Sequence, residues 1–339
     1  MNTDSMNYFV RLLFLFTLFA ITFSCKTDFN INAGYKEITV VYGLLDQNEV
    51  THYLRITKAF LGEGNALVYA KIPDSSLYGP ELKVNLLEIH ASNDYKTIVF
   101  DTALIQNKDS GTFFAPDQVM YKSNVVLNPK YIYELDLKDT ITGEVVTSKT
   151  NLIQNFSIVT PKPGRRSIGF SRDVLNEQKF EWKSALYGKR YQPILKFYFK
   201  ETSSPNDTIM REIDWVFELK TSNGVEGGED MSVSYLNEDF YKLCESQIPY
   251  SDQNKEDAVR VRLADHFDFS FTIVGDEFST YLDLNGPTTG LLLEKPAYSN
   301  IVNGIGVFSS HYTWNKSYLV DDITKAALQN TTSIHFFAN

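Results

Sequence analysis

The fold is decided by the stretch Leu127-Asn128-Pro129-Lys130-Tyr131-Ile132-Tyr133, which continues directly as Glu134-Leu135-Asp136-Leu137. Asparagine and proline together favour a turn, and the residues after this turn alternate between apolar and polar side chains. A second turn at Thr142-Gly143 leads into another run with strand character, Val145 to Thr150. The stretch therefore predicts a turn followed by two strands, each with one buried face.

This order of turns and strands resembles the E-strand, F-strand and G-strand region of fibronectin type III and related immunoglobulin-like domains. In those domains a tyrosine that follows the turn closes a corner through its hydroxyl group. The resemblance implies that Tyr133 holds this role here. Such a tyrosine fastens a loop and takes no part in catalysis.

Short strands separated by turn signals extend this pattern over residues 37–161. Ile38 to Leu45 is an apolar run rich in β-branched residues. Leu54 and Ile56 alternate with polar neighbours, and the segment from Leu82 to Leu86 repeats the same period of two. The sequence therefore predicts a mainly β protein whose N-terminal domain is an immunoglobulin-like or fibronectin III-like β-sandwich at residues 37–161.

Two prolines and a glycine at Thr160 to Gly164 predict a domain boundary. Residues 162–339 again read mostly as strands, so we expect a second β-rich domain with minor helix. The segment 236–248 has the apolar period of an amphipathic helix, and Asn237 is its expected N-cap. The predicted organisation is thus a β-sandwich followed by a β-rich C-terminal domain with one short helix.

The N-terminus carries an apolar run of twelve residues, Leu12 to Phe23, closed by Ser24 and Cys25. Such a run has the length of a signal-peptide core and falls short of the roughly 20 residues that cross a bilayer. The end of the run resembles a bacterial lipobox, although Thr22 stands where an aliphatic residue is usual. The resemblance implies a lipoprotein signal peptide at residues 1–24 and fatty-acyl chains, such as palmitate, on Cys25. A secreted soluble protein is the alternative.

Residues 25–36 form a short polar tether between Cys25 and the first strand. Fully extended at about 3.3 Å per residue, the eleven residues after Cys25 reach only about 36 Å. We therefore expect the folded body to stay close to the membrane. For a bacterial lipoprotein, which the lipobox resemblance implies, this is the outer membrane, on the cell surface or on the periplasmic face. The membrane, reached through the lipid anchor, is the first expected partner.

Net charge and cysteine content restrict the partners and the disulfide bonds that the chain can have. The net charge of −10 argues against nucleic acid as a partner, because such partners require clustered lysine and arginine. Cys25 and Cys244 are the only cysteines of the chain, so acylation of Cys25 excludes an intramolecular disulfide. Cys244 lies in the predicted helix, and we expect it to be a buried, inert small apolar residue.

Local motifs predict no catalytic, cofactor or metal site. His266 lies between Asp265 and Asp268, but on a regular strand Asp265 would point away from the other two side chains. The other four histidines are scattered, and neither a metal-binding histidine spacing nor a serine nucleophile elbow is present. The sequence therefore predicts a protein that is not an enzyme and has no cofactor.

The tail contains two short motifs, Ser299-Asn300-Ile301 and Gly304-Ile305-Gly306-Val307-Phe308. Together with the lipobox and the N-terminal strand pattern, they resemble a Bacteroidetes-type outer-membrane lipoprotein family of unknown function. Members are often associated with TonB-dependent receptors, and the resemblance implies no catalytic residue. By physical chemistry alone, the glycines allow close approach of two chains and Phe308 fills core.

Three classes of function follow. The first is a non-catalytic accessory lipoprotein that contacts an outer-membrane receptor protein of a TonB-dependent transport system. The second is a surface module that binds a glycan or peptide through exposed aromatic rings, for which Trp314 and Tyr312 are the candidates. The third is a hydrolase built from carboxylate pairs that the sequence cannot align.

Overall fold

A computed structural model of the protein describes residues 36–61, 66–106, 109, 111, 114, 117–204, 207–252, 258–286, 298–331, 334 and 336. The predicted signal peptide 1–24, the predicted lipid-attachment residue Cys25 and the tether as far as residue 35 lie outside the described residues. Contacts divide the chain into two units, and nearly all described residues belong to the larger one, 38–59 with 65–339.

The protein is mainly β, as the sequence predicts. The described strands are β1 (Lys36–Leu45), β2 (Thr51–Leu61), β3 (Leu82–Ala91), β4 (Asp94–Val99), β5 (Asp101–Ile105), β6 (Gln118–Asn124), β7 (Ile132–Asp139), β8 (Val145–Asn151), β9 (Ser157–Thr160), β10 (Ser167–Ile168), β11 (Gln178–Lys183), β12 (Arg190–Ser204), β13 (Asp207–Val216), β14 (Lys220–Thr221), β15 (Asp230–Tyr235), β16 (Val261–Val274) and β17 (Gly304–Val320). The described helices are α1 (Ala66–Tyr69), α2 (Pro73–Ser76), α3 (Asn237–Gln247), α4 (Asp276–Asn285) and α5 (Asp322–Gln329).

The N-terminal strands form two layers that share one hydrophobic core. One layer has the strand order β1-β2-β6-β5, and the other is an antiparallel sheet with the order β4-β3-β7-β8. Alternate residues of β3 and β7 are buried, as their period of two predicts. Both layers contribute to this core, and two residues of the C-terminal region, Ile301 and Phe308, complete it. Its residues from the two layers include Val41, Leu45, Leu54, Ile56, Val84, Leu86, Tyr121, Leu135 and Leu137.

Tyr133 fastens β7 to the turn before it, which is the role that the resemblance to fibronectin III-like domains implies. Its buried hydroxyl accepts a hydrogen bond from the backbone N–H of Asn128 at 2.7 Å and donates one to Oε2 of Glu88 at 2.8 Å. Burial, and then the bond to Glu88, raise the pKa of Tyr133. Burial alone would raise the pKa of Glu88, but hydrogen bonds from His90 and Tyr133 outweigh it, so the pKa is lowered. The corner is therefore a neutral phenol bonded to an ionised carboxylate.

Strand β17 joins the two halves of the chain into one large sheet. The strand order of this sheet is β13-β12-β16-β17-β1-β2-β6-β5. The first half of β17 runs parallel to β1, with Gly304 to Ser310 opposite Thr39 to Leu45. Its second half, His311 to Leu319, pairs antiparallel with β16. A single strand thus belongs to both halves of the structure.

The C-terminal motif is what allows β17 to lie against β1. Gly306 has a φ of 120°, and a Cβ atom there would clash with the carbonyl oxygen of Val41. The side-chain amide of Asn300 donates to the carbonyl of Phe308 at 2.6 Å, and its oxygen accepts from the N–H of Phe308 at 2.9 Å. Phe308 itself is fully buried. The predicted roles of the glycine and the phenylalanine, close approach and core filling, are confirmed.

A second, aromatic-rich cluster fills the C-terminal half. It is formed by the large sheet, by the three-stranded sheet β15-β11-β9 and by α3. Its largest fully buried side chains are Trp182, Tyr191, Tyr241, Tyr318, Phe170, Phe197, Phe240, Phe267, Phe269 and Phe271. Many of the aromatic residues of the sequence therefore serve as core.

The predicted helix at 236–248 is observed as α3, but its expected cap is wrong. Leu236 holds the N-cap position, and its backbone N–H donates to the side chain of Asp239 at 3.1 Å. Asn237 instead uses its amide to donate to the carbonyl of Ser171 at 2.9 Å. The side chain of Asn237, which sequence rules predict as the N-cap, is therefore used in a contact with a distant part of the chain. None of the described helices combines the length and apolar character needed to cross a membrane.

Arg262 forms a buried ion pair inside the C-terminal half. Its guanidinium, in a residue only 1% exposed, donates to Oε1 of Glu201 at 2.8 Å. It also donates to the carbonyls of Ile334 at 2.6 Å and Pro249 at 3.0 Å. The other carboxylate oxygen of Glu201 accepts from Nε of Arg211 at 2.8 Å. These contacts join five segments of the chain, those that carry Arg262, Glu201, Ile334, Pro249 and Arg211.

Candidate functional site

The aromatic pair predicted to face a ligand lies in or against the core. Tyr312 is only 6% exposed. Trp314 is partly buried, with ring centroids 5.9 Å from Phe156, 6.2 Å from Phe269 and 5.9 Å from Phe271. A ring that stacks on a sugar must present an open face. The prediction of Tyr312 as part of an aromatic binding surface is therefore wrong, because the ring fills the aromatic cluster.

Asp265, His266 and Asp268 come together through a β-bulge. The register of β12 and β16 shifts beside His266, which faces Tyr198, and leaves Asp265 as an extra residue. Nδ1 of His266 lies 2.7 Å from Oδ2 of Asp265, and Nε2 lies 3.7 Å from Oδ1 of Asp268. The expectation that Asp265 points away is wrong, because a bulge changes the alternation of side chains along the strand.

The charges of this group are already compensated. Nζ of Lys200 lies 2.8 Å from Oδ1 of Asp265, and this contact, followed by the one with His266, lowers the pKa of Asp265. The ring of Tyr198 stacks on that of His266 at 4.5 Å. The arrangement is a partly exposed ion network on the sheet surface.

Cys244 is fully buried in α3, as the sequence predicts. Burial raises the pKa of its thiol, and the nearby charge of Glu245 adds to the effect. A nucleophilic cysteine needs the opposite shift and an accessible sulfur. Its position is that of an inert core residue.

A different cluster stands out in the described part of the chain. Asp46, Glu49 and His311, referred to below as the Asp46 cluster, each offer one ligand atom, and these atoms all lie within 4.8 Å of one another. The parallel pairing of β1 and β17 sets Leu45 opposite Ser310. Asp46, the first residue after β1, therefore lies beside His311, and Glu49 joins them from the turn that leads to β2.

Asp46 is buried with little compensation for its charge. The residue is 2% exposed, and its Oδ1 accepts one hydrogen bond, from the N–H of Asn48 at 2.8 Å. Its Oδ2 lies 3.6 Å from Nε2 of His311, beyond hydrogen-bond distance. Nδ1 of His311 is buried and has no hydrogen-bond partner among the described residues. Because a buried carboxylate is costly unless it is paired, this geometry calls for a positive charge.

His52, at the start of β2, adds a buried imidazole to the same neighbourhood. The residue is 1% exposed, and its Nε2 donates to the carbonyl of Val125 at 3.0 Å. Burial lowers the pKa of His52, against the opposing effects of Val125, Glu49 and Asp46. The ring is therefore neutral, with a lone pair on Nδ1 that meets no hydrogen-bond donor in the part of the chain that is described.

The turn that carries Asp46 and Glu49 is tied down on both sides. The side-chain amide of Gln47 donates to the carbonyl of Ile153 at 2.9 Å. That of Asn48 donates to the carbonyl of Thr313 at 2.9 Å. These contacts hold the backbone of the turn in place beside β17.

Sequence patterns could not reveal this cluster. Asp46 and Glu49 belong to the first turn of the body, and His311 belongs to the last long strand. Both His311 and His52 look like isolated histidines in the sequence. Only the parallel pairing of β1 with β17, which no local pattern encodes, brings them together.

Comparisons with known proteins give no family for this chain. No protein-family model matches the sequence, and no curated protein matches it. Among solved structures, the chain is similar to the C-terminal globular domain of an oligosaccharyltransferase from Pyrococcus abyssi, with 9% sequence identity and a TM-score of 0.24. The similarity covers 82% of this chain and 44% of that chain, so the match spans less than half of the other structure. A TM-score this low supports no argument about fold or function.

Proposed function

We propose that the protein is a non-catalytic lipoprotein, anchored in the outer membrane through Cys25, that acts as an accessory or interaction partner of a TonB-dependent transport system. The observation that carries the proposal is the apolar run Leu12 to Phe23, which ends at a cysteine and is followed almost at once by the folded body. Stable anchoring takes more than one acyl chain, which lipid modification at a processed N-terminal cysteine supplies.

The short distance from the anchor to the body supports a partner in or on the membrane. Strand β1 begins at Lys36, and it lies between β17 and β2 in the large sheet. Eleven residues separate Cys25 from the end of the tether, a reach of at most about 36 Å. A body held this close to the bilayer meets membrane proteins more readily than soluble ones.

The N-terminal domain fits an immunoglobulin-like sandwich. The order β1-β2-β6-β5 against β4-β3-β7-β8 corresponds to strands A, B, E and D of an immunoglobulin domain against C′, C, F and G. The hydrogen bond between Tyr133 and the backbone of Asn128 supports the same assignment. Domains of this class commonly serve as binding modules, which agrees with a non-catalytic role.

The lipid anchor is tested by comparing the two cysteines of the chain. Cells that express the wild type, Cys25→Ala or Cys244→Ala are fed an alkyne-tagged palmitate, and the protein is then examined by gel fluorescence and mass spectrometry. We expect label and an acylated N-terminal cysteine in the wild type and in Cys244→Ala, and neither in Cys25→Ala. An unmodified Cys25, or a leader that stays attached, would overturn the proposal.

The partner is tested separately, with the wild-type chain in its own membranes. Cross-linking before gentle detergent extraction, followed by affinity capture, should recover a TonB-dependent receptor in fixed ratio with this chain. Cys25→Ala, which no longer reaches the membrane, should lose that receptor. Recovery of the acylated chain alone under these conditions counts against the accessory role while leaving the anchor intact.

A further inference from the structure

We propose that Asp46, Glu49 and His311 bind one divalent first-row transition-metal ion, such as Zn²⁺. The three side chains offer two carboxylate oxygens and one imidazole nitrogen within 4.8 Å of one another. Zn²⁺ accepts this mixed set of ligands, whereas Ca²⁺ and Mg²⁺ are bound through oxygen. The histidine therefore distinguishes the class of ion.

The separations suit a metal centre after a small adjustment. Metal–ligand bonds of about 2.0–2.1 Å place neighbouring ligands of a tetrahedral site about 3.3 Å apart. Nε2 of His311 and Oδ2 of Asp46 are already 3.6 Å apart. Glu49 is exposed and sits on the turn, so its side chain is the one that can move to close the site.

The charge of Asp46 is what a bound cation would balance. In the described part of the chain, the structure records no ion pair from lysine or arginine to Asp46 or Glu49. Asp265, by contrast, sits beside a histidine in the same way but has Lys200 at 2.8 Å. A buried carboxylate without a cationic partner is costly, and binding of a metal ion removes that cost.

His52 provides an independent sign that a ligand belongs here. Its Nδ1 lone pair is buried and meets no donor among the described residues, although the ring lies close enough to Asp46, Glu49 and His311 for their charges to act on it. Neutral imidazole with a free lone pair is the form that coordinates metals. His52 is thus a second histidine, and a buried one, whose ring feels the charges of the Asp46 cluster.

The bound ion would have a structural effect. Asp46 and Glu49 lie at the start of the N-terminal sandwich, and His311 lies where β17 passes from β1 to β16. A metal ion that joins them fastens the first turn of the body to its last long strand. We therefore expect metal to raise the thermal stability of the whole unit.

The test uses the full-length chain in detergent, purified through a tag without histidine and stripped of metal with a chelator. Zn²⁺ binding is measured by calorimetry, and Co²⁺ binding by visible absorption, for the wild type, Asp46→Asn and His311→Gln. The matched control is His266→Gln, which removes a histidine that also lies beside aspartates. Circular dichroism checks the fold of each variant, and Glu49→Gln, at an exposed position, replaces any variant that fails to fold.

We expect the wild type to bind one equivalent of Zn²⁺ and to melt at a higher temperature with it, while Ca²⁺ and Mg²⁺ have no such effect. Asp46→Asn and His311→Gln should weaken Zn²⁺ binding at least tenfold, and His266→Gln should bind like the wild type. The proposal is overturned if the wild type binds no more Zn²⁺ than His311→Gln, which would leave Asp46 and His311 as a side-chain contact without a metal ion. Equal loss in His266→Gln would overturn it too.

Discussion

Replacing Arg262 with methionine tests how the C-terminal half is held together. Methionine keeps much of the volume but loses the charge and all three hydrogen bonds to Glu201, Ile334 and Pro249. Because Arg262 is 1% exposed and its bonds to Glu201 and Ile334 are buried, water cannot replace these two bonds without opening the core. Arg262→Met should therefore destabilise the protein far more than an ordinary surface substitution does.

The magnitude follows from the partners that remain. The buried carbonyl of Ile334 loses its donor at a cost of about 1–3 kcal/mol, whereas Pro249 is exposed and its carbonyl can bond to water. Removal of one member of a buried ion pair costs about 3–5 kcal/mol. Glu201 keeps its bond to Arg211, which lowers the second figure. We expect a loss of about 4 kcal/mol in the free energy of unfolding, a large part of the ordinary stability of a protein.

Arg211→Met is the matched control, because it removes an arginine from the same carboxylate. The Arg211 side chain is 54% exposed, so its pair with Glu201 is worth about 0–1 kcal/mol. The assay is urea unfolding of the full-length chain in detergent, followed by tryptophan fluorescence and circular dichroism. If Arg262→Met costs no more than Arg211→Met, the buried pair does not hold this region together.

The pH dependence gives a second measure of the same contact. Burial would raise the pKa of Glu201, but hydrogen bonds from Arg211 and Arg262 outweigh it and lower the pKa. A lowered pKa in the folded state means that this stability is present above the ordinary glutamate value of about 4.3 and is lost as the pH falls further. Arg262→Met should therefore unfold less steeply in acid than the wild type. An unchanged acid profile would contradict the assignment.

Three further predictions concern single side chains. Tyr133→Phe should lower the free energy of unfolding by about 1–3 kcal/mol, because the buried N–H of Asn128 and the carboxylate of Glu88 lose their hydrogen-bond partner. Tyr131→Phe, the control beside it, should lower it by about 0.5 kcal/mol or less. Equal values for the two variants in urea unfolding would contradict the proposed role of Tyr133. Burial raises the pKa of Glu277. The contribution of the protonated Glu277 side chain to stability is therefore complete below the ordinary glutamate pKa and is lost as the pH rises through the raised pKa. Glu277→Gln, which stays neutral, should raise the melting temperature at pH 7 and leave it unchanged at pH 4. In a Cys25→Ser chain, the Cys244 thiol should not react with thiol reagents until denaturant is added. Rapid reaction in the native protein would show that Cys244 is not buried.

Local patterns were sufficient for the elements that depend on local residues. The period of two in β3 and β7 and the helical period of α3 are both borne out by burial in the structure. The role of Tyr133 is expected from a family resemblance, and the close approach at Gly306 from the lack of a side chain. In each case the prediction names a property of the residue and leaves open which distant residue it contacts.

Features that depend on distant partners could not be read in this way. The parallel pairing of β1 with β17 creates the Asp46 cluster, and no sequence pattern around Asp46 or His311 predicts this pairing. The bulge that turns Asp265 toward His266 arises from the register with β12. Tyr312 resembles a surface aromatic in the sequence, but the strand that carries it is covered on the side that Tyr312 faces.

The place of β17 beside β1 also determines when the chain can fold. The opening strand of the body obtains one of its two neighbours only from residues 304–310, close to the C-terminus. A nascent polypeptide must therefore be made as far as residue 310 before that sheet edge is paired, and such long-range closure is slow and exposed to wrong partners. Chains that stop before residue 304 leave β1 without this neighbour.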